Sequence, residues 1–247
     1  MALRNAITDG KVRGPRLRVS LEALESTAGH GDARYGMDPQ LFHPGWDNST
    51  VDSADQARAR VREHKRRGAD LIKIIPSGRI ASSGDDPRQK LMTDDEIAPV
   101  ITTAHSLGMK VAAHAYPPSA IDAAVRAGVD SIEHGSFATS ASFALMKANG
   151  TFLVPTLTVF DVFYKVARDT PELLRLGTAA REMANVLLPK KKFPNVLKSG
   201  VRIVYGTDLG EGDHSTEFRL LIKGGMSPMD AILSATGNAA DLLCRLN

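Results

Sequence analysis

Apolar residues in this chain fall into two alternating patterns. Short apolar runs read as strands buried in a sheet, and the stretches between them, with apolar positions every three to four residues, read as amphipathic helices. The strand-like runs lie at residues 17–20, 70–73, 110–114, 130–134, 151–156 and 202–208. The helical stretches lie at 54–67, 93–107, 119–127, 140–148, 171–198 and 227–243. Punctuation agrees with this division. Gly68, Gly108 and Gly128 stand where helices should stop, Thr93 and Glu96 form a capping box, and Ser227-Pro228 opens the last helix. A long polar loop with Gly29-His30-Gly31-Asp32 follows the first strand, and a Ser/Gly/Asp loop fills 76–88. Strands alternating with helices at this spacing predict βαβ units and a parallel sheet. Six such strands are present, whereas a closed (β/α)8 barrel needs eight.

In a parallel α/β barrel the C-terminal ends of the strands converge on one face, where active sites sit. Four of the runs end on Lys73, His114, His134 and Asp208. Two histidines on neighbouring strand ends suit a divalent metal through neutral imidazole nitrogen, and Asp208 adds an anionic oxygen. A lysine ammonium repels a cation, so Lys73 joins such a site only if neutralised or carboxylated by carbon dioxide into a bidentate anion. Metal-bound water has a pKa near ~7, and Asp208 can move its proton to a leaving nitrogen. Each residue also has a plainer reading. A strand-end lysine snorkels or pairs with a carboxylate, and Gly206-Thr207-Asp208 is also a turn and helix-entry sequence. Four coincidences at strand ends favour the metal site.

Further residues flank these ends. His30 either reaches substrate or is a plain loop histidine. Tyr116 lies two past His114 and either hydrogen-bonds a substrate carbonyl or packs as an aromatic. Arg79 follows Ser77-Gly78 and either meets a substrate carboxylate or is solvated. His214 lies in the loop after Asp208 and is suited to lining a pocket. Glu133 points opposite to His134 on its strand and reads as a barrel-core partner. His43, His64 and His105 read as structural.

Composition narrows the picture. The chain has 247 residues, 43% of them hydrophobic, enough for a large core, and one α/β barrel is about this long. The net charge is only +3 and the basic residues are dispersed; Lys190-Lys191-Lys192 after Pro189 reads as a solvated loop. Nucleic acid is not expected as a partner. Cys244 is the sole cysteine, so no intrachain disulfide forms. No apolar stretch approaches the ~20 residues that span a bilayer. Residues 1–10 carry no apolar signal core, so a soluble, cytoplasmic chain is the default expectation.

The motifs together carry a resemblance over residues 14–243. They are Gly14-Pro15-Arg16-Leu17, Gly29-His30-Gly31-Asp32, Gly68-Ala69-Asp70-Leu71-Ile72-Lys73-Ile74 with Ser77-Gly78, and His114-Ala115-Tyr116. Gly128-Val129-Asp130-Ser131-Ile132-Glu133-His134-Gly135, Val154-Pro155-Thr156, Gly206-Thr207-Asp208 and Ala235-Thr236-Gly237-Asn238-Ala239-Ala240 complete the set. In order and spacing the chain resembles the metal-dependent amidohydrolase superfamily, in its imidazolonepropionase-like and Xaa-Pro dipeptidase-like branch. The resemblance implies a TIM-type barrel, one or two divalent ions (zinc above all), and carboxylated Lys73 as their bridge. It places His114 and His134 on one ion, and Asp208 on the other and as proton shuttle. It also implies hydrolysis of C–N bonds in a dipeptide or N-acyl amino acid, chiefly through His114-Ala115-Tyr116.

One departure stands out. The superfamily opens its barrel with a strand ending in His-x-His, and here the histidines are 30, 43, 64, 105, 114, 134 and 214, no two of them two apart. A second strand and the small β-domain have no counterpart either. Residues 1–247 therefore read as one incomplete barrel domain, cut before its third strand and after its last barrel helix. Two rivals follow: a chain without turnover, and an amidohydrolase acting on a cyclic amide or by deamination. Unpaired sheet edges would favour homo-oligomers.

Overall fold

The computed structural model describes residues 1–244 apart from 39, 42, 44, 81–85 and 174–184. Its centre is a parallel sheet in sequence order: β1 (Leu71–Ile74), β2 (Lys110–Ala115), β3 (Ser131–His134) and β4 (Phe152–Val154). Register runs Lys73 to Ala112, His114 to Glu133, and Glu133 to Val154. A segment flanks the sheet on each side. Leu24 bridges Ile74 in parallel, and Ile203 bridges Leu153 likewise. Parallel pairing thus runs from Leu24 through the four strands to Ile203, and among the described residues Thr50 also bridges Glu25 in parallel, beyond Leu24.

Helices connect the strands, as the apolar periodicity requires. They are α1 (Ala2–Thr8), α2 (Ala54–Arg66), α3 (Asp94–Ser106), α4 (Pro118–Arg126), α5 (Ser140–Asn149), α6 (Leu157–Asp169), α7 (Leu188–Ser199), α8 (Thr216–Lys223), α9 (Pro228–Ala235) and α10 (Gly237–Cys244). At the head of α3 the Thr93 N–H donates to the Glu96 carboxylate at 2.8 Å, as the capping box predicts.

Five expectations need correction; one is the strand at 202–208, where only Ile203 forms a bridge. The first strand does not occupy 17–20; there Val19 meets Asp70, just before β1, its carbonyl accepting from the Asp70 N–H and its N–H donating to the Asp70 carboxylate, and pairing resumes at Leu24. Leu21, at φ 65°, breaks the extended run between them. The helical region expected at 171–198 is instead a short 3-10 turn at Pro171–Leu173 and α7, with 174–184 outside the described residues. Residues 81–85 of the 76–88 loop also lie outside them. The helix after Pro228 breaks at Thr236 into α9 and α10. Helices α1, α6 and α8 were not anticipated.

Alternation along the strands separates two faces. Ile72, Ile74, Val111, Ala113, Ile132, Leu153 and Ile203 face the helices, packing with Val61, Ile97, Ile101, Ile121, Phe143, Phe193 and Leu221 in one core. Each of these side chains larger than alanine contributes about 1.5–3 kcal/mol by leaving water. Leu71, Lys110, Ala112, Ser131, Glu133, Val154 and Val204 face inward on a cavity of about 310 Å³, which Ala239 and Leu242 of α10 help to bound. His64 is wholly buried on α2, its ring nitrogens 2.9 Å and 3.0 Å from the Arg60 and Glu22 carbonyls, which makes it structural as expected.

Gly206 marks how tightly the far margin closes. A Cβ there would stand 2.4 Å from Val154 Cγ1, on a strand that cannot yield, whereas one at Gly210 would meet nothing within 4 Å. Gly206→Ala should lower unfolding stability by about 1–3 kcal/mol, and Gly210→Ala by less than about 0.5. Denaturant melts of both variants check this, and equal stabilities would show that the margin does not pack as described.

Candidate active site

Period-two alternation does not by itself bring the histidines together. Ser131 and Glu133 face the inner cavity and Ile132 the outer core, so His134 has outward parity. Its backbone leaves the strand: φ is 69°, in the left-handed region, and Gly135 follows at 60°. The turn swings the imidazole back over the mouth of the sheet. His134 Nε2 then lies 3.0 Å from His114 Nδ1, and His134 Nδ1 lies 2.7 Å from Thr156 Oγ1. His114 Nε2 is 3.3 Å from the Gly78 carbonyl oxygen. Gly78 is held there by close packing, since a Cβ on it would meet the Asp86 backbone at 2.2 Å.

Tyr116 completes the cluster. Its ring stacks on His134 at 5.1 Å and meets His114 edge-on at 4.7 Å, while its N–H donates to Ser77 Oγ. Phe160 of α6 closes on His134 at 5.8 Å. His30 also reaches the site, its ring 5.7 Å from that of His114. The loop wraps the buried carboxylate of Glu25, which accepts from the Gly31 N–H. Side chains at Gly29 or Gly31 would strike that carboxylate, at 2.9 Å and 2.5 Å. These glycines let His30 approach.

The charged residues gather around the same mouth. Burial pushes the Lys73 amine down, opposed by the nearby carboxylates of Glu133 and Asp208. Burial pushes the Asp208 carboxyl up, opposed by Lys73 and Arg79. Both imidazoles are held well below their ordinary value: His114 by burial, then His134, Lys73 and His30; His134 by burial, then Lys73, Arg79 and His30. Lys73, Arg79, His30 and Asp208 are thus all within electrostatic reach of the pair. Glu133, expected as a core partner, is the first carboxylate facing Lys73. His214 is less central: it is exposed, and its Nδ1 lies 2.8 Å from Thr207 Oγ1.

Two residues not singled out from sequence matter here. Thr156 partners His134 and is itself left-handed at φ 49°. Glu217 of α8, fully buried, accepts from the N–H groups of Leu157 and Thr158 and from the Thr158 hydroxyl. It anchors the start of α6 just after Thr156. Thr156 lay in a quoted motif, but a strand-end threonine gives no sign of its partner.

The donor set suits a divalent ion in part. Two neutral imidazoles present facing nitrogens in a buried mouth, as metal-ligating histidines must. Among the described residues, however, no three His, Cys, Asp or Glu side chains stand close enough to hold an ion. A third, anionic ligand from this cluster could come from Asp208 on the neighbouring margin, or from Lys73 if its amine were carboxylated.

The buried pair has a consequence for stability. Unfolded, each imidazole titrates near ~6.5; folded, each stays neutral to lower pH. Below that value the unfolded chain binds more protons, so stability falls as pH drops from 7 to 5. In chelator-treated protein, the His114→Asn/His134→Asn variant should lose less melting temperature over that interval than the wild type. An equal loss would contradict the neutral pair.

Comparison with known proteins agrees with this geometry. The model of the amidohydrolase family matches residues 2–245. Ochratoxinase of Aspergillus niger is 33% identical over 249 residues, covering 95% of this chain and 51% of that protein. A Xaa-Pro dipeptidase structure with methionine bound in its active site superposes with a TM-score of 0.92 at 31% identity, covering 98% of this chain and 60% of that one. A prolidase complexed with N-methylphosphonate-L-proline gives 0.87 at 32%, covering 98% and 60%. The chain spans about half the length of the curated relatives it matches. Its open parallel sheet is part of a TIM-type barrel, and the chain belongs to the amidohydrolase family.

Proposed function

We propose that this chain carries the metal-binding and proton-transfer elements of a hydrolase of amide C–N bonds, acting on dipeptides or N-acyl amino acids. The carrying observation is the facing pair His114 Nδ1 and His134 Nε2, 3.0 Å apart at the mouth that Lys73 and Asp208 share. His114, His134 and carboxylated Lys73 would hold a divalent ion, zinc foremost, with Lys73 and Asp208 as ligands to a second. When bound, such an ion lowers the pKa of water and polarises the scissile carbonyl.

The remaining chemistry falls to side chains. Asp208 accepts a proton from the attacking water and delivers it to the leaving nitrogen. Burial pushes its carboxyl up, and the Arg79 cation opposes this by favouring the carboxylate. Arg79 is suited to a substrate carboxylate, and His30, Tyr116 and His214 to the rest of the substrate. Ile80, Tyr116, Val159, Phe160 and Val186 form an apolar cluster beside the mouth, fit for an apolar side chain. The amino-acid ligands of the similar dipeptidase and prolidase support this class. The sheet margins favour self-association. No described helix is long and apolar enough to cross a membrane.

A second reading, binding without turnover, has one observation in its favour: the described side chains leave the ion short of protein ligands. Metal content and turnover separate the two. After zinc loading with bicarbonate and desalting, His134→Ala should lose its zinc. His105→Ala, altered on α3 where the ring only meets Asp130, should keep it. Equal zinc in both would sink the ligand assignment. On N-acyl amino acids, Asp208→Asn should be about 10²–10⁴-fold slower than the wild type while keeping zinc at the histidines. A near-normal rate would move the proton transfer elsewhere, and a zinc-loaded wild type without turnover would favour the second reading.

A further inference from the structure

The hydrogen bonds at the mouth fix where the imidazole protons sit. A carbonyl oxygen only accepts, so His114 Nε2, 3.3 Å from the Gly78 oxygen, carries its N–H. In the neutral ring His114 Nδ1 then bears a lone pair. Its 3.0 Å contact with His134 Nε2 requires a donor on the other side, so His134 is protonated at Nε2. That leaves His134 Nδ1 with a lone pair, and the Thr156 hydroxyl donates to it at 2.7 Å. Protons therefore run in one order: Thr156 to His134, His134 to His114, His114 to Gly78.

A cation taken by the two facing nitrogens needs a lone pair on each. His114 Nδ1 already offers one; His134 Nε2 does not. To offer it, the ring must lose the Nε2 proton and gain one at Nδ1, with no net change in protons. The new N–H then points at Thr156 Oγ1. A hydroxyl can donate or accept, so rotation about the C–O bond serves both forms. A methyl, an ammonium or a carbonyl group at that position could not.

We propose that Thr156 is a positioning residue whose hydroxyl holds His134 in either tautomer, donating to Nδ1 in the metal-free chain and accepting from it when the facing nitrogens take a cation. The inference rests on the reading of His114 and His134 as metal ligands. Two features keep the hydroxyl in place. Thr156 is left-handed at φ 49°, a poor conformation for a β-branched residue, and so is held by its surroundings. The next two N–H groups are gripped by the buried Glu217 carboxylate, which ties the turn to α8.

The test reads tautomer and affinity rather than turnover. Ring-nitrogen chemical shifts of His134, assigned by their loss in His134→Asn, should show an Nε2–H form in chelator-treated wild type and an Nδ1–H form with zinc. An Nδ1–H form in the metal-free wild type overturns the inference, whatever the variants do. Zinc affinity, by competition with a chromophoric chelator, should stay within about threefold in Thr156→Ser. It should fall about 10–100-fold in Thr156→Val, which keeps the shape and removes the hydroxyl. Thr156→Val binding zinc like the wild type, while His114→Asn does not, overturns the role of Thr156 and leaves the ligand reading standing. Zinc retained by His114→Asn/His134→Asn overturns the ligand reading and the inference with it.

Discussion

Strands β1 to β4 pair in parallel, each with the next, so every C-terminal end leaves the sheet on the same side. That register gathers Lys73, His114, His134 and Asp208 from distant parts of the chain. It is not sufficient alone, because the parity of β3 sends His134 outward. The left-handed turns at His134, Thr156 and Asp208 correct the aim of the side chains that follow strand ends. Such turns cost on the order of 1–3 kcal/mol each and persist only where packing over-determines them. Here the stacked Tyr116, Phe160 and the Thr156 hydrogen bond do so.

The same burial sets the electrostatics. A buried imidazole pair beside an ammonium cannot afford protonation, so both rings stay neutral and able to bind metal. Burial acts on Lys73 in the same direction, favouring the neutral amine, which is the form that adds carbon dioxide. In the proposed function it is this neutral amine that would be carboxylated. Glu133 and Asp208 oppose this, their charges favouring the protonated amine.

Much of this was legible in the sequence because it rests on local patterns. The ends of β1, β2 and β3, the Thr93–Glu96 capping and the Pro228 start depend on neighbours within a turn or two. Parallel topology alone places Lys73, His114, His134 and Asp208 at one end of the sheet, but does not set the aim of the His134 ring. Long-range facts were not legible. The outward parity of His134 and its left-handed correction need the register. Leu21 breaks the first strand through backbone conformation that leucine does not advertise. Helix α6 was hidden because Val154-Pro155-Thr156 reads as a strand end, and its anchor, Glu217, lies about sixty residues away. Glu25 beneath the His30 loop is another carboxylate whose role only tertiary contact reveals.

The most direct measurement on the central claim is zinc-edge anomalous diffraction from crystals grown with zinc and bicarbonate. If the strand-end cluster is a metal site, the anomalous peak lies between His114 Nδ1 and His134 Nε2, with the rings drawn apart from their 3.0 Å contact and carbamate density on Lys73. Rings still in direct contact, a free Lys73 amine and zinc bound only elsewhere on the surface would contradict it.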